Sequence, residues 1–158
     1  MYLDILLLHN VRSASWPEEC KRMRDTYSEA KVKKVILSHG ASVHGLPPLR
    51  QFPGNTWLEV ALMRVNHDGT MMDNMAGDGR TKGDVKEVTG HLQSIHGQNT
   101  GVIGMKIMGE GRFITPEDRE ASIQYVMKLG TVDAVTIGYK SPAEIDEAIE
   151  RIGRALNA

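Results

Sequence analysis

The chain of 158 residues has the length of one domain, and its 41% hydrophobic and 25% charged residues are ordinary for a globular protein. A formal net charge of -1 removes the electrostatic basis for nucleic-acid binding, and a single cysteine excludes an internal disulfide framework. No apolar run approaches the roughly 18 residues of a membrane span, so we expect one cytoplasmic domain over residues 1–158, without a nucleic-acid or membrane partner.

An almost unbroken apolar run opens the sequence at residues 2–9, YLDILLLH. It lacks the polar alternation of a half-exposed strand and therefore indicates a strand buried on both faces, as in a parallel sheet. The run stops at His9, which becomes the first candidate functional residue, because ligands of α/β proteins bind beyond the carboxyl ends of parallel strands. A histidine beside an apolar run is more often a packing residue, so other observations must support this role.

Four further strand–helix units follow the first. Strands are predicted at 32–37, 57–65, 101–107 and 132–137. Proline at a first helical position and side chains suited to N-caps indicate helices that begin near Trp16, Leu46, Asp84, Thr115 and Ser141. Five such units predict a parallel α/β sheet, either open and doubly wound or part of an eight-stranded barrel. No Gly-x-Gly-x-x-Gly follows the first strand, which counts against an ordinary Rossmann domain.

A change of composition marks residues 68–82, which are rich in Gly, Asp, Asn and Met. A loop of this length at a strand end is usually functional or mobile. If all strands are parallel, their carboxyl ends also collect polar groups from every unit: His9, the segment 38–45, Asn66 with His67, Lys106 with Glu110, and the segment 138–141.

Three chemistries are compatible with that edge. A zinc-dependent hydrolase would use His9, His39 or His44, and His67 as ligands, although their spacing matches no known ligand pattern. Schiff-base chemistry would use Lys106, which has an alternative role in pairing with Glu110. A phosphate could bind at the N-terminus of the last helix, beside Lys140, although such capped helices are common without any ligand.

Five segments together resemble the C-terminal portion of the aldo/keto reductases, in family order and over essentially the whole chain. The segments are 2–9, 38–47, 64–66 with 72–73, 101–111 and 137–142. The resemblance implies an incomplete TIM barrel in which residues 2–9 form the fourth strand, so that the five βα units carry the fourth to eighth strands with helices on the outside.

The resemblance also implies an activity. Aldo/keto reductases reduce carbonyls with NADPH through an Asp, Tyr, Lys and His tetrad, and His9 matches the histidine. The other three lie on earlier strands, so we expect an NADPH-binding portion that reduces carbonyls only when completed by the missing N-terminal strands. The alternative is a non-catalytic nucleotide-binding or self-associating half-barrel. Either needs a partner, which would be a complementary N-terminal half or a second copy.

The implied cofactor-binding residues fall in three places. Ser42 matches the serine that bonds the nicotinamide carboxamide, but Val43 replaces the usual Asn, and Arg64 and Asn66 lie on the strand where a carboxamide-binding Gln is expected but not identified. The other implied residues lie along the pyrophosphate or around the adenosine 2'-phosphate: Met105, Lys106 and Gly109, then Gly138, Lys140, Ser141 and Glu144.

Overall fold

The computed structural model describes residues 2–157, which form five strands. They are β1 (Leu3–Val11), β2 (Ile36–Val43), β3 (Val60–Arg64), β4 (Gly101–Met105) and β5 (Ala134–Val135). All neighbours pair in parallel and in sequence order. Because right-handed crossovers between sequential parallel strands all return on one side, the helices form one layer, as in the wall of a barrel. The predicted α/β fold and the incomplete barrel are therefore confirmed.

The helices begin where local capping signals predict them. They are α1 (Trp16–Glu19), α2 (Lys21–Val32), α3 (Leu46–Leu49), α4 (Val85–Gly97), α5 (Pro116–Lys128) and α6 (Pro142–Leu156). Side chains of Asp84, Thr115 and Ser141 each accept the backbone N–H three residues later, at 3.0, 3.1 and 3.4 Å. Each cap satisfies one of the free N–H groups in a first helical turn. Among the described residues no helix is long and apolar enough to cross a membrane.

The second strand differs most from its prediction. Helix α2 continues through Val32, and β2 begins only at Ile36, so the strand prediction at 32–37 is wrong for most of its length. The segment 38–43, which the sequence places beyond the end of that strand, is strand instead. Its small residues let β2 approach β3 closely, since a Cβ on Gly40 would lie 1.7 Å from the Val60 carbonyl oxygen. A glycine that permits such close approach looks like a loop residue in the sequence alone.

The hydrophobic core lies between the sheet and the helix layer. Its sheet side is formed by alternate residues, including Leu8, Ala41, Val43, Ala61, Met63, Val65 and Val102, and its helix side by residues of α4 and α5, including Leu92, Ile95, Ile123 and Val126. The intervening strand residues therefore face the other way, onto the surface that lines a barrel's interior. We call this surface the concave face; it carries Leu3, Ile5, Ser42, Leu62, Arg64 and Met105.

The loop at 68–82 is anchored in its first half. Asp73 is fully buried and accepts the Gly45 N–H at 2.7 Å, and the carbonyl of Asn74 accepts the Leu46 N–H at 2.9 Å. These contacts tie the loop to the chain that follows β2. The loop thus brings a buried carboxylate next to the carboxyl ends of β2 and β3.

Candidate functional site

One group of polar side chains lies at the carboxyl ends of β1, β2 and β3. We call it the His44 cluster, and it consists of His9, Ser42, His44, Arg64 and Asp73. Arg64 ends β3, and its Nη2 contacts Nδ1 of His44. Its Nε lies 3.8 Å from Oδ1 of Asp73. The cluster therefore joins three strand ends to the 68–82 loop.

Burial and charge set the protonation of this cluster. Loss of hydration, reinforced by the positive charge of Arg64, lowers the pKa of His44 to about 4. Burial raises the pKa of Asp73 to about 6, against the opposing effects of the Gly45 N–H and Arg64. At pH 7 the imidazole is consequently neutral, while Asp73 is ionised and pairs with the guanidinium.

The two residues of the cluster that the resemblance assigns to catalysis and to cofactor binding, His9 and Ser42, differ in exposure. His9 lies within β1, two residues before its end, and its side chain is exposed; its ring centroid is 6.3 Å from that of His44. Ser42 is buried, and its hydroxyl has no hydrogen-bond partner among the described residues. A buried hydroxyl without a partner is costly, so a ligand or water that satisfied it would be stabilised there.

A pocket of about 700 Å³ opens toward the β5 edge of the sheet, between the turn after β4 and the start of α6. We call it the β4–β5 pocket. Five of the predicted cofactor-binding residues line it: Met105, Lys106, Gly138, Lys140 and Glu144. They come from two segments about thirty residues apart, and the fold brings them together. Phe113, Ile114, Ile137 and Tyr139 supply apolar lining.

Most of the pocket's charges are paired with one another. Lys106 donates to Glu110 at 2.5 Å, and both Arg119 and Arg151 bind Glu147, at 2.7 and 2.8 Å. Lys140 has no carboxylate within ion-pair distance among the described residues. Its backbone N–H is held by the Glu144 carboxylate at 2.7 Å. Lys140 is thus the lining cation most readily available to a bound anion.

Of the three remaining predicted cofactor residues, Ser42 belongs to the His44 cluster, and the other two adjoin residues that line the pocket. Gly109 is buried against Phe113, where a Cβ would come within 3.1 Å of the ring. The Ser141 hydroxyl caps α6. Arg119 was missed because an arginine in the first turn of a helix, 21 residues before Lys140, carries no sequence signal for this pocket.

The structure corrects the placement of His39. Its ring stacks on Trp57 with centroids 4.6 Å apart, and its Nδ1 lies 3.6 Å from Glu59. Strand alternation directs it to the helix layer, opposite to Ser42. His67 packs against Phe113 instead, at 5.0 Å. The described residues contain no group of three or more His, Cys, Asp or Glu arranged for a metal ion, so the geometry does not support the zinc-hydrolase alternative.

Lys106 also differs from a Schiff-base lysine. Its ammonium group is engaged by Glu110, and its backbone adopts a left-handed conformation with φ of 61°. Its carbonyl accepts a hydrogen bond from the Asn66 side chain at 3.2 Å. These contacts fix the turn after β4, which is the structural role that the sequence left open.

Comparison with known proteins identifies the fold. No protein-family model and no curated protein matches the chain. Solved structures do match: the proposed aldo-keto reductase PA4992 of Pseudomonas aeruginosa superposes with a TM-score of 0.69 and 15% identity. The holo form of aldo-keto reductase AKR11C1 of Bacillus halodurans gives 0.67 and 16%.

The fold is that of part of an aldo-keto reductase barrel. The matches cover 98% and 96% of this chain but only 52% and 55% of the two barrels. The chain thus spans about half the length of these structures. At such low identity the likeness concerns the fold, so cofactor, reaction and partner have to be argued from the residues.

Proposed function

We propose that this chain is the cofactor-binding portion of an aldo-keto reductase that reduces a small-molecule carbonyl with NADPH. The β4–β5 pocket carries the proposal, because it assembles residues that sequence resemblance had assigned to the cofactor from two separate segments. Its volume lies within the usual range for small-molecule sites. Its contents suit a nucleotide, since Lys140 and the N-terminus of α6 favour a phosphate and the apolar lining suits an adenine ring.

The concave face supplies the other contacts. Ser42 presents a buried, unsatisfied hydroxyl that suits the carboxamide, and His9 presents an exposed imidazole that suits the substrate carbonyl. A nicotinamide cofactor supplies the hydride when bound. His9 would then donate to the carbonyl oxygen and orient it. This chain contains no match to the family's tyrosine acid, which by the resemblance lies on an earlier strand.

Activity therefore depends on completion of the barrel. An eight-stranded barrel needs three strands beyond the five described here. We propose that a complementary N-terminal half supplies them together with the proton donor, and that the assembly works in the cytoplasm. Loss of a positioned acid costs roughly a hundred- to ten-thousandfold in rate. We expect this chain alone to oxidise almost no NADPH with a panel of aldehydes.

The binding half of the proposal is tested by calorimetric titration with NADPH. Lys140→Gln removes the available cation of the pocket and should weaken binding about tenfold, the effect of losing one charge-assisted hydrogen bond to phosphate. Lys21→Gln is the matched control, since Lys21 lies on α2, outside the pocket lining, and pairs with Asp25 at 2.7 Å. The proposal fails if NADPH does not bind saturably, or if both variants bind it equally well.

A second candidate is a non-catalytic half-barrel that binds nucleotides or associates with itself. The exposed apolar side chains of β1 favour it, since Leu3 and Ile5 are 55% and 42% exposed. Adding a complementary half distinguishes the two: carbonyl reduction that appears only in the mixture supports the reductase. NADPH binding without reduction in that mixture supports the second candidate.

A further inference from the structure

The contact between Arg64 and His44 determines which imidazole nitrogen carries the proton. A guanidinium group has only donors, so the Nδ1 that contacts Nη2 of Arg64 must accept. In a neutral imidazole the proton then resides on Nε2. A second proton on Nδ1 would face the guanidinium charge directly and would remove this hydrogen bond.

The guanidinium belongs to a buried ion pair. Arg64 is only 4% exposed, and the carboxylate beside it, Asp73, is fully buried. Asp73 is in turn anchored by the Gly45 N–H, in the segment that follows His44. Removing either member of a buried ion pair leaves an uncompensated charge, which is strongly destabilising. Arg64 thus contacts both Nδ1 of His44 and, at 3.8 Å, the carboxylate of Asp73.

The other ring nitrogen of His44, Nε2, is available to donate a hydrogen bond. Nε2 makes no hydrogen bond within the described residues, and it is not one of their buried polar atoms without a partner. It is therefore accessible to solvent. The ring lies 6.3 Å from His9 and two residues beyond Ser42, at the carboxyl end of β2. The donor therefore lies at the same strand ends as the two residues to which the proposed function assigns the carbonyl and the carboxamide.

We propose that His44 is a fixed, neutral hydrogen-bond donor whose Nε2–H binds a carbonyl-type oxygen of the ligand, with Arg64 and Asp73 as positioning residues. The identity of the ligand rests on the proposed function: the oxygen belongs either to the nicotinamide carboxamide or to the substrate carbonyl. Val43 stands where the resemblance expects a carboxamide-binding Asn, so a donor one residue later compensates for a missing contact.

The tautomer is tested first, by nitrogen NMR of the imidazole groups without any ligand. We expect the wild-type protein to show His44 protonated on Nε2 alone at pH 7. Arg64→Met should yield a mixture of tautomers, whereas Arg50→Met should leave the spectrum unchanged, since Arg50 pairs with Glu87 at 2.6 Å and is not among the charges that act on His44. Because the wild-type spectrum is informative alone, a misfolded Arg64 variant does not protect the proposal. Protonation of Nδ1 in the wild type overturns it.

The ligand is tested with small probes that need no nucleotide pocket. Free nicotinamide should shift the His44 Nε2 resonance if the carboxamide is bound, and butanone should do so if the substrate carbonyl is bound; benzene, which has no hydrogen-bond acceptor atom, is the control. His44→Gln keeps a hydrogen-bond donor and should retain the affinity for the probe that binds. His44→Phe should weaken that affinity about fivefold, the effect of losing one neutral hydrogen bond. No response to either probe overturns the inference.

These results are separable from those for the proposed function. NADPH that binds through Lys140, with no response of His44 to nicotinamide or butanone, overturns only the role of His44. A clear response of His44 to a probe, with no NADPH binding, overturns only the NADPH proposal.

Discussion

Gly40 marks the closest approach of β2 to β3. A Cβ at this position would lie 1.7 Å from the Val60 carbonyl oxygen and 2.7 Å from its carbon, and backbone atoms paired in a ladder cannot yield. Gly40→Ala should therefore cost on the order of 2–4 kcal/mol of unfolding free energy, as measured in urea. Gly90→Ala is the control, because a Cβ there meets nothing within 4 Å inside α4 and should gain up to about 1 kcal/mol. Equal effects would contradict the close approach.

The depressed pKa of His44 predicts a pH dependence. The folded state titrates near 4 and the unfolded chain near 6.5, so between these values the unfolded chain binds more protons. Stability must then fall as the pH decreases from 6.5 to 4. Asp73 has the opposite effect over a similar range, because burial raises its pKa. Comparison with His44→Gln, which retains Asp73, isolates the histidine: wild type should lose stability relative to the variant on acidification. A constant difference in urea midpoints would refute this.

At the residue scale the sequence predicts identities better than orientations. His9 and Ser42 could be named in advance, because each matches one position of a known segment. His39 was misplaced because one step along a strand reverses the face. The part played by Arg64 was not predictable, since it depends on Asp73, which only the folding of the 68–82 loop brings within 3.8 Å.

At the scale of an element, the N-caps of α5 and α6 allow the structural role of a capping residue to be compared with a role in ligand binding. Ser141→Ala and Thr115→Ala each remove a side chain that accepts an N–H of the first turn, so each should cost about 1 kcal/mol. Only Ser141 adjoins Lys140 in the segment assigned to the 2'-phosphate. We expect Ser141→Ala to weaken NADPH binding several-fold in calorimetry, while Thr115→Ala leaves it unchanged. Equal NADPH affinities in the two variants would make Ser141 a cap and nothing more.

Helices were predictable here because their signals are local. Capping side chains and proline at a first helical position lie within four residues of the start that they specify. Strand ends were less predictable: β2 extends to Val43 because β1 pairs with it as far as Val43 and β3 as far as Ser42, and these partners are distant in sequence. Register and length in a parallel sheet depend on such non-local contacts.

At the scale of the whole molecule, apolar surface is exposed near both edges of the sheet. At one end β1 is an edge strand whose Ile5 faces the concave side. At the other end, Ile145 and Ile149 of α6 share an exposed stripe one helical turn apart. A closed barrel would cover both surfaces with the same three βα units, since strands that completed it would pair with β1 and with β5. A single complementary half, as proposed above, would cover both.

This surface predicts how the isolated chain behaves in solution. Unpaired strand edges and exposed apolar patches favour association, so sedimentation velocity should show oligomers that increase with protein concentration. Ile5→Lys places a charge on the concave face, where it remains solvated in the monomer and becomes buried only on association. It should suppress the oligomers, whereas Val32→Lys, on a residue of α2 that is 83% exposed, should not. Equal suppression by both variants would show that association uses the helix layer. If the concave face is the surface involved, a complementary half should compete with self-association, and reductase activity should increase as the oligomers disappear.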